Sequence, residues 1–406
     1  MDGVLDGVVD EARDLLASAV DLRRRLHRRP ELGLELPATQ EAVLEALEDL
    51  PVEVHRGTAT TSVVAILDGG AGPGPTILLR GDMDALPMPE DSGVEFASQV
   101  TGAMHACGHD SHVAMLAGAA RLLAGRRADL AGRVAFMFQP GEEGHHGARL
   151  MLEDGLLDRA AAGAEPVSLA FALHQSPVIA SGVVASRAEV LLAANDTLRV
   201  VVRGRGGHAS APHQAIDPIP IACEVVTALQ SLVTRRVDAF DPAVITIARI
   251  IAGTTSNVIP EEAELYGTVR TVSDRTRREV HDAVRRLAEG IAAAHGAEAR
   301  VELETGFPVT VNDVDAAAFA LDTAGLLLGP GSVRRLPAPV MGAEDWSYVL
   351  QQVPGAMAFL GTRPPGVDGP VAPNHSNRMV LDEEAMATGI AVHAGIALRW
   401  LDRGLS

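Results

Sequence analysis

The segment PTILLRGDMD (75–84) joins an almost wholly apolar run to a charged end, and it decides the predicted fold. A buried strand that ends in polar residues is typical of an α/β sheet, in which sites form outside the carboxyl ends of the strands. RVAFMFQP (133–140) and VSLAFALH (167–174) repeat this pattern. HVAMLAGAARLLAG (112–125) and GARLMLEDGLL (147–157) have helical periodicity. We therefore predict an α/β fold.

The pattern of predicted helices and strands changes near residue 189. An alternating strand (197–207) leads to a helix, two further strands and a long amphipathic helix (275–296), which is the order of a compact α+β unit. The α/β pattern then resumes after about residue 307. We predict a catalytic α/β domain in two parts, 1–188 and 306–406, interrupted by a smaller inserted α+β domain at 189–305.

Composition excludes several functional classes. The formal net charge of the 406 residues is -19, which disfavours nucleic acid and anionic membrane surfaces as partners. All 34 basic residues are arginine, so lysine Schiff-base chemistry and a Walker-type phosphate lysine are excluded. The acidic, amphipathic start (MDGVLDGVVDEARDLL) does not resemble a signal peptide, and no apolar run reaches membrane-spanning length. These features predict a cytoplasmic protein.

Two motifs carry candidate metal ligands. MHACGHDSH (104–112) places Cys107 and His109 one residue apart, and thiolate with imidazole suits zinc and neighbouring transition metals. QPGEEG (139–144) places Glu142 and Glu143 after an apolar strand. One carboxylate could bind metal while the other takes a proton from water, which suits metal-assisted hydrolysis. A buried cysteine and a solvated acidic turn are the simpler interpretations of each motif alone.

Two distant histidines complete the candidate cluster. His174 ends the apolar run VSLAFAL, and His375 lies in the turn-rich segment APNHSN. In isolation, the first is better explained as a hydrogen-bonded core group and the second as a surface loop residue. The Cys-His motif, the glutamate pair and His174 all come at or after the end of a predicted buried strand, as a metal site at one sheet edge requires.

The chain resembles the M20 metallopeptidases, specifically the amidohydrolase branch with hippurate hydrolase-like and auxin-conjugate hydrolase-like enzymes. The resemblance runs from HRRPELGLE (27–35) almost to the end. The segments that carry it are LLRGDMDALPMPE (78–90), MHACGHDSHVAMLAGAA (104–120), FQPGEEG (138–144), ALHQSPVIASGVVASR (172–187), GGHASAPH (206–213), AGTTSNVIPEEAELYGTVRT (252–271) and MGAEDWSYVLQQVPGAMAFLG (341–361).

The resemblance implies a zinc-peptidase-like α/β domain with a lid that also forms a homodimer. It implies two divalent ions (zinc, manganese, cobalt or nickel) and the ligands Cys107, His109, Glu143, His174 and His375. Glu142 matches the general base that activates the metal-bridging water, and Asp84 matches a carboxylate that orients a ligand. His208 matches a histidine that reaches the neighbouring subunit's site. Asn257 and Arg270 match substrate-binding positions.

The sequence departs from the family pattern at a few positions. His145 and His146 replace small residues, and they could crowd the site, add a ligand or be solvated loop residues. NHSNRM (374–379) and Trp346 also differ from the usual residues. Cys223 lies in an apolar helical stretch, where we expect a buried, inert thiol.

The predicted function is hydrolysis of the amide bond of an N-acyl amino acid or similar small peptide-like substrate. A dipeptidase or carboxypeptidase that uses the same site is the alternative. A catalytically inactive, ligand-binding homologue is a third, and Glu142 argues against it because a binder needs no proton shuttle.

Overall fold

The computed structural model describes residues 2–402, which divide into two compact units. The larger comprises Leu191 and the residues before it, Val311–Ala338 and the chain from Tyr348 onward. The smaller comprises Leu192–Thr310 and Pro339–Ser347. The predicted fold class, an α/β domain with an inserted α+β unit, is confirmed. Among the described residues, no helix is long and apolar enough to cross a membrane.

The first part of the larger unit alternates helices with strands. Its helices are α1 (Val8–Asp14), α2 (Leu16–Arg28), α3 (Pro37–Leu47), α4 (His109–Gly125), α5 (Gly147–Glu153) and α6 (Leu156–Ala161). Its strands are β1 (Glu53–Arg56), β2 (Val63–Asp68), β3 (Thr76–Asp82), β4 (Arg133–Gln139), β5 (Val167–Ser176) and β6 (Val184–Ser186). The strand β7 (Glu189–Leu192) leads into the smaller unit.

The smaller unit is built on a four-stranded antiparallel sheet in the order β10-β12-β8-β13. Its elements are β8 (Ala194–Arg203), β9 (Gly207–His208), α7 (Pro218–Arg236), β10 (Ala243–Ala252), β11 (Val258–Ile259), β12 (Glu262–Thr271), α8 (Asp274–Ala294) and β13 (Glu298–Thr305). One face of the sheet packs its alternating apolar residues against the two helices in a separate core. The exposed Cys223 lies on α7, so the expectation of a buried thiol is wrong: it falls on the helix face away from that core.

The chain then completes the larger unit. The remaining elements are β14 (Thr310–Asn312), α9 (Val314–Leu328), β15 (Val333–Arg335), α10 (Ser347–Leu350), β16 (Gly355–Gly361) and α11 (Ala385–Asp402). The eight-stranded sheet has the order β1-β2-β4-β3-β5-β16-β6-β15. Its central strands β4, β3, β5 and β16 are mutually parallel and almost wholly buried, so their carboxyl ends share one edge of the sheet.

Candidate metal centre

Five segments bring the candidate residues together, three of them at or just after the ends of β3, β4 and β5. Asp84 follows the end of β3, Glu142 and Glu143 follow β4, and His174 lies near the carboxyl end of β5. Cys107 does not follow a strand directly, contrary to expectation. It lies in a loop 25 residues beyond Asp82 and immediately before α4, whose first residue is His109. The ends of parallel strands therefore explain only part of the cluster.

The five candidate ligands form two groups that share one sulfur atom. Ligand atoms of Cys107, His109 and His174 lie within 4.8 Å of one another, and so do those of Cys107, Glu143 and His375. The Sγ of Cys107 is 3.4 Å from Nε2 of His174. The Oε1 of Glu143 is 3.2 Å from Nε2 of His375. The chain thus clusters side chains able to hold two metal ions.

Backbone carbonyls fix which nitrogen two of the histidines present. The Nδ1–H of His109 donates to the carbonyl oxygen of Asp84 at 2.8 Å, and that of His174 donates to the carbonyl oxygen of Gln175 at 2.6 Å. The Nε2 atom of each ring is left to face Cys107 and its neighbours. Metal-binding histidines commonly use this arrangement, because the second nitrogen's hydrogen bond sets the tautomer and the ring orientation.

The electrostatics of the cluster favour a cation. Cys107 and Glu143 raise the pKa of His375 to about 10. Burial would raise the pKa of Glu143, but His375 and His109 lower it. Burial and the neighbouring His112 lower the pKa of His174, which keeps that ring neutral and able to bind metal.

The residues fit two divalent ions. Nε2 of His109 is buried without a hydrogen bond to any described residue, 3.3 Å from Oδ2 of Asp82 and 4.0 Å from Oε1 of Glu143. An unsatisfied buried nitrogen among carboxylates is costly unless a cation occupies the space. Sulfur, imidazole and carboxylate together are the donors that zinc and nearby transition metals accept.

Asp84 has more contacts than the sequence predicted. Its carboxylate accepts the backbone N–H groups of Glu142 at 2.9 Å and Glu143 at 3.0 Å, in addition to the bond between its carbonyl and His109. It is 1% exposed. Asp84 therefore holds both the glutamate loop and the ring of His109 in place. Glu142, with 6% exposure, lies in this loop within reach of His109 and Glu143.

Three buried residues behind the cluster were not predicted from the sequence: Asp82, His112 and Gln175. Nδ1 of His112 bonds to Asp82, while its Nε2 accepts the backbone N–H of Gln175 at 2.8 Å. Both nitrogens of His112 are therefore engaged, which leaves none for a metal. Alternation along β3 could have revealed Asp82, which lies two residues before Asp84. A buried glutamine near the end of a strand carries no comparable signal.

The histidines of the glutamate loop do not join the metal groups identified in the described chain. His146 has a left-handed backbone (φ 57°), precedes α5, and its Nδ1 lies 2.8 Å from the hydroxyl of Tyr348. The ring of His145 packs over Gly33. His375 also has a left-handed backbone (φ 66°), and its N–H donates to the carbonyl of Ala106 at 2.9 Å, which ties it to the Cys107 loop.

The other candidate residues lie in the smaller unit. His208, on β9, is exposed, and its Nδ1 accepts hydrogen bonds from Ser210. Asn257 is also exposed, and it lies near His208 because its backbone carbonyl accepts the N–H of Ala209 at 3.1 Å. Arg270 lies on β12, half-buried. Burial lowers the pKa of its guanidinium, which makes no hydrogen bond or ion pair with a described residue.

Residues 78–399 match the family described as "Peptidase family M20/M25/M40". The chain belongs to this family. An N-acetylcysteine deacetylase of Bacillus subtilis is 38% identical to this M20 protein over 93% of the chain and 96% of its own length. Thermostable carboxypeptidase 2 of Saccharolobus solfataricus is 37% identical over 98% of the chain and 100% of its own length.

A solved structure extends the comparison to the metal centre. The YXEP protein of Bacillus subtilis, described as a dinuclear metal-binding peptidase from the M20 family, is 35% identical with a TM-score of 0.81. The match covers 96% of this chain and 99% of that one. These relatives confirm the predicted family and enzyme class: the M20 protein is a metal-dependent hydrolase.

Proposed function

We propose that this M20 hydrolase cleaves the amide bond of N-acyl amino acids or similar small peptide-like molecules. The observation that carries the proposal is a buried carboxylate, Glu142, held by Asp84 beside a cluster of ligands for two ions. Cys107, His109, Glu143, His174 and His375 would hold the ions. When bound, such ions polarise a carbonyl and lower the pKa of a water toward about 7.

The chain's own residues supply the proton transfers. Glu142 accepts a proton from the attacking water as the water oxygen bonds to the amide carbon. The carbon–nitrogen bond then breaks, and Glu142 returns the proton to the leaving amine nitrogen. The Asp84 carboxylate fixes the backbone from which Glu142 projects, so the base is oriented before substrate arrives.

Arg270 supports a substrate with a free carboxylate. A half-buried guanidinium without an ion-pair acceptor leaves its hydrogen-bonding capacity unused within the described chain, and a carboxylate would satisfy it in a bidentate manner. Asn257, exposed near His208, is a second candidate contact. Replacement of Arg270 by glutamine should raise KM for carboxylate substrates but not for their amide-capped analogues. An equal change for both would exclude the clamp.

A substrate screen tests the proposed function. N-acetyl, N-benzoyl and indoleacetyl amino acids would be compared with plain dipeptides, with zinc, manganese, cobalt and nickel supplied in turn. We expect N-acyl amino acids to be the better substrates. The carboxypeptidase relative supports the alternative of a dipeptidase or carboxypeptidase, which faster cleavage of the dipeptides would favour. No hydrolysis with any metal would refute both.

We include in the proposal a homodimer formed through the smaller unit, with His208 acting on the partner's site. Support comes from β10, an edge strand with three exposed apolar side chains, Val244, Ile250 and Ile251. Exposed apolar edges readily pair with another chain. Ile250→Asp should convert a dimer into a monomer by sedimentation analysis. Leu326→Asp, at a similarly exposed position (54%) on α9, is the matched control and should not.

Subunit mixing tests the role of His208. His208→Ala and Glu142→Gln should each be inactive alone. If His208 serves the partner's site, exchange of subunits restores one complete site in each mixed dimer, and activity returns. No recovery after verified exchange would exclude this role.

A cytoplasmic location is also part of the proposal. Both cysteines are free thiols, and Cys223 is exposed, which suits a reducing compartment. Cell fractionation with antibody detection would test it.

A further inference from the structure

One buried amide side chain touches several of the segments that carry candidate ligands. Gln175 follows His174 on β5 and is 0% exposed. Its Nε2 donates to the carbonyl of Cys107 at 2.7 Å and to Oδ1 of Asn374 at 2.8 Å. We propose that Gln175 is a positioning residue that sets the spacing of Cys107, His174 and His375 and thereby the metal affinity of the site. The inference rests on the proposed function only in that these residues bind the ions.

The backbone of Gln175 strengthens the same connections. Its carbonyl accepts the Nδ1–H of His174, which turns Nε2 of that ring toward Cys107. Its N–H donates to His112, whose other nitrogen bonds to Asp82 beside His109. Displacement of residue 175 would therefore disturb the contacts of both nitrogens of His174. It would also disturb His112 and Asp82, which lie behind His109.

The side chain at 175 must be an amide. Both hydrogens of Nε2 are used by oxygen atoms that can only accept, and Oε1 accepts the hydroxyl of Thr362 at 2.7 Å. This fixes the orientation of the amide, because the reverse would set two acceptor oxygens against each other. A glutamate would place a carboxylate oxygen against the carbonyl of Cys107, and a methionine would fill the space but leave the same oxygens unpaired.

Gly108 makes the contact with Cys107 possible. Its backbone is left-handed (φ 78°), and a Cβ atom there would lie 2.6 Å from Nε2 of Gln175 and 2.8 Å from Cδ. Any larger residue between Cys107 and His109 would therefore displace the amide as well as strain the turn. The glycine of the Cys-Gly-His motif and Gln175 form one packed unit.

His375 depends most on this arrangement. Its side chain is 56% exposed, whereas Cys107, His109 and His174 are buried. Besides the ion pair of His375 with Glu143, three ties hold the segment: the backbone bond of His375 to Ala106, the bond between the carbonyl of Asn377 and the N–H of Asp91, and Asn374, which is bonded to Gln175. Loss of the amide of Gln175 would remove the hydrogen bond to Asn374 and so leave the neighbouring His375 less firmly held.

Cobalt binding to metal-free, folded protein is the test. Thiolate–cobalt absorption in the near-ultraviolet reports the contact with Cys107, and competition with a chelator gives the dissociation constant. Gln175→Glu and Gln175→Met should each weaken cobalt binding at least about tenfold, the usual cost of removing a residue that orients metal ligands. Both should also alter the thiolate–cobalt band. Wild-type affinity and an unchanged band in either folded variant would overturn the inference.

Asn312 provides a matched control. It is also a buried amide, 1% exposed, and it bonds to Ser186, Arg187 and Met357, none of which is a candidate ligand. Asn312→Asp should lower the melting temperature of the metal-free protein without changing cobalt affinity. An equal loss of cobalt affinity in Asn312→Asp would mean that Gln175 acts only through general stability.

Two further experiments distinguish failure of the positioning role from misfolding of the variants and from failure of the proposed function. If neither Gln175 variant folds, Asn374→Ala carries the test, since it removes only the half-buried arm of the network and should weaken cobalt binding severalfold; wild-type affinity there would refute the inference. If the wild type binds cobalt in a Gln175-dependent way but hydrolyses nothing in the screen, the proposed function fails and the positioning role stands.

Discussion

The two groups that share Cys107 differ in how they are supported. On one side, His109 and His174 are 0% and 8% exposed, and each ring is fixed by a hydrogen bond to a backbone carbonyl. On the other, Glu143 has a side-chain exposure of 14% and His375 one of 56%, and the latter comes from a turn with a strained backbone. One half of the centre is rigid before metal arrives, and the other is open.

This difference predicts unequal ion binding. A preorganised buried group loses little conformational entropy when it binds an ion, whereas an exposed histidine must be ordered. An open position also leaves room for substrate, as catalytic metal sites require. We therefore expect the buried half to bind its ion tightly and the open half to exchange its ion readily.

Cys107→Ala should have the largest effect, because it removes the atom common to both halves. We expect metal content to fall for both ions, and turnover to fall further than the roughly hundredfold lost with a general base alone. Elemental analysis and hydrolysis assays would measure the two losses. Cys223→Ala, the exposed thiol of α7, is the control and should change neither. Two ions retained in Cys107→Ala would contradict the shared-sulfur arrangement.

Glu142→Gln should lower turnover without lowering the metal content of either half. The substitution keeps the shape of the side chain but removes its ability to accept a proton, so turnover should fall at least about a hundredfold. Metal content should stay near that of the wild type, because the five proposed ligands are intact. Near-normal turnover in the metal-replete variant would show that another group is the base.

His174→Ala and His375→Ala compare the two halves directly. The first removes a buried ligand and leaves a cavity beside Cys107, and we expect cobalt affinity of the tight site to fall at least about a hundredfold. The second removes an exposed ligand, and we expect about a tenfold loss confined to the weaker site. Stepwise cobalt titration would resolve the two sites. If both variants lost the same site to the same extent, the division into halves would be wrong.

The sequence predicted members of the two halves from two kinds of signal. Apolar runs that end in polar groups located His174 and the glutamate pair, because strand periodicity is a local property. The strand-end pattern also grouped Cys107 with them, although Cys107 reaches the cluster through a loop, and only the family resemblance connected His375 to the others. Gln175 and His112 could not be singled out from local pattern as supports, since their hydrogen bonds join residues 63 and 199 positions apart and depend on tertiary packing.

The smallest predicted effect concerns the support behind the buried half. His27, on α2, is 2% exposed, and its ring lies between two carboxylates: Nδ1 is 2.8 Å from Asp110 and Nε2 is 3.1 Å from Glu90. Arg23 also faces Asp110 at 3.1 Å, and the neutral ring of His105 lies alongside. Burial opposes protonation, but Asp110 and Glu90 outweigh it and raise the pKa of His27 to about 9.

The sign of the pH dependence follows from this shift. In the unfolded chain His27 titrates near 6.5, so between about pH 6.5 and 9 only the folded state holds the proton. The stabilisation is complete below that window and is lost as the pH rises through it, at up to about 1.4 kcal/mol per pH unit. His27→Gln should remove this slope from the free energy of unfolding of the metal-free protein, measured by urea denaturation at several pH values. Parallel curves for wild type and variant across the window would show that His27 is neutral in the folded state, and that the buried half does not rest on an ion pair between His27 and Asp110.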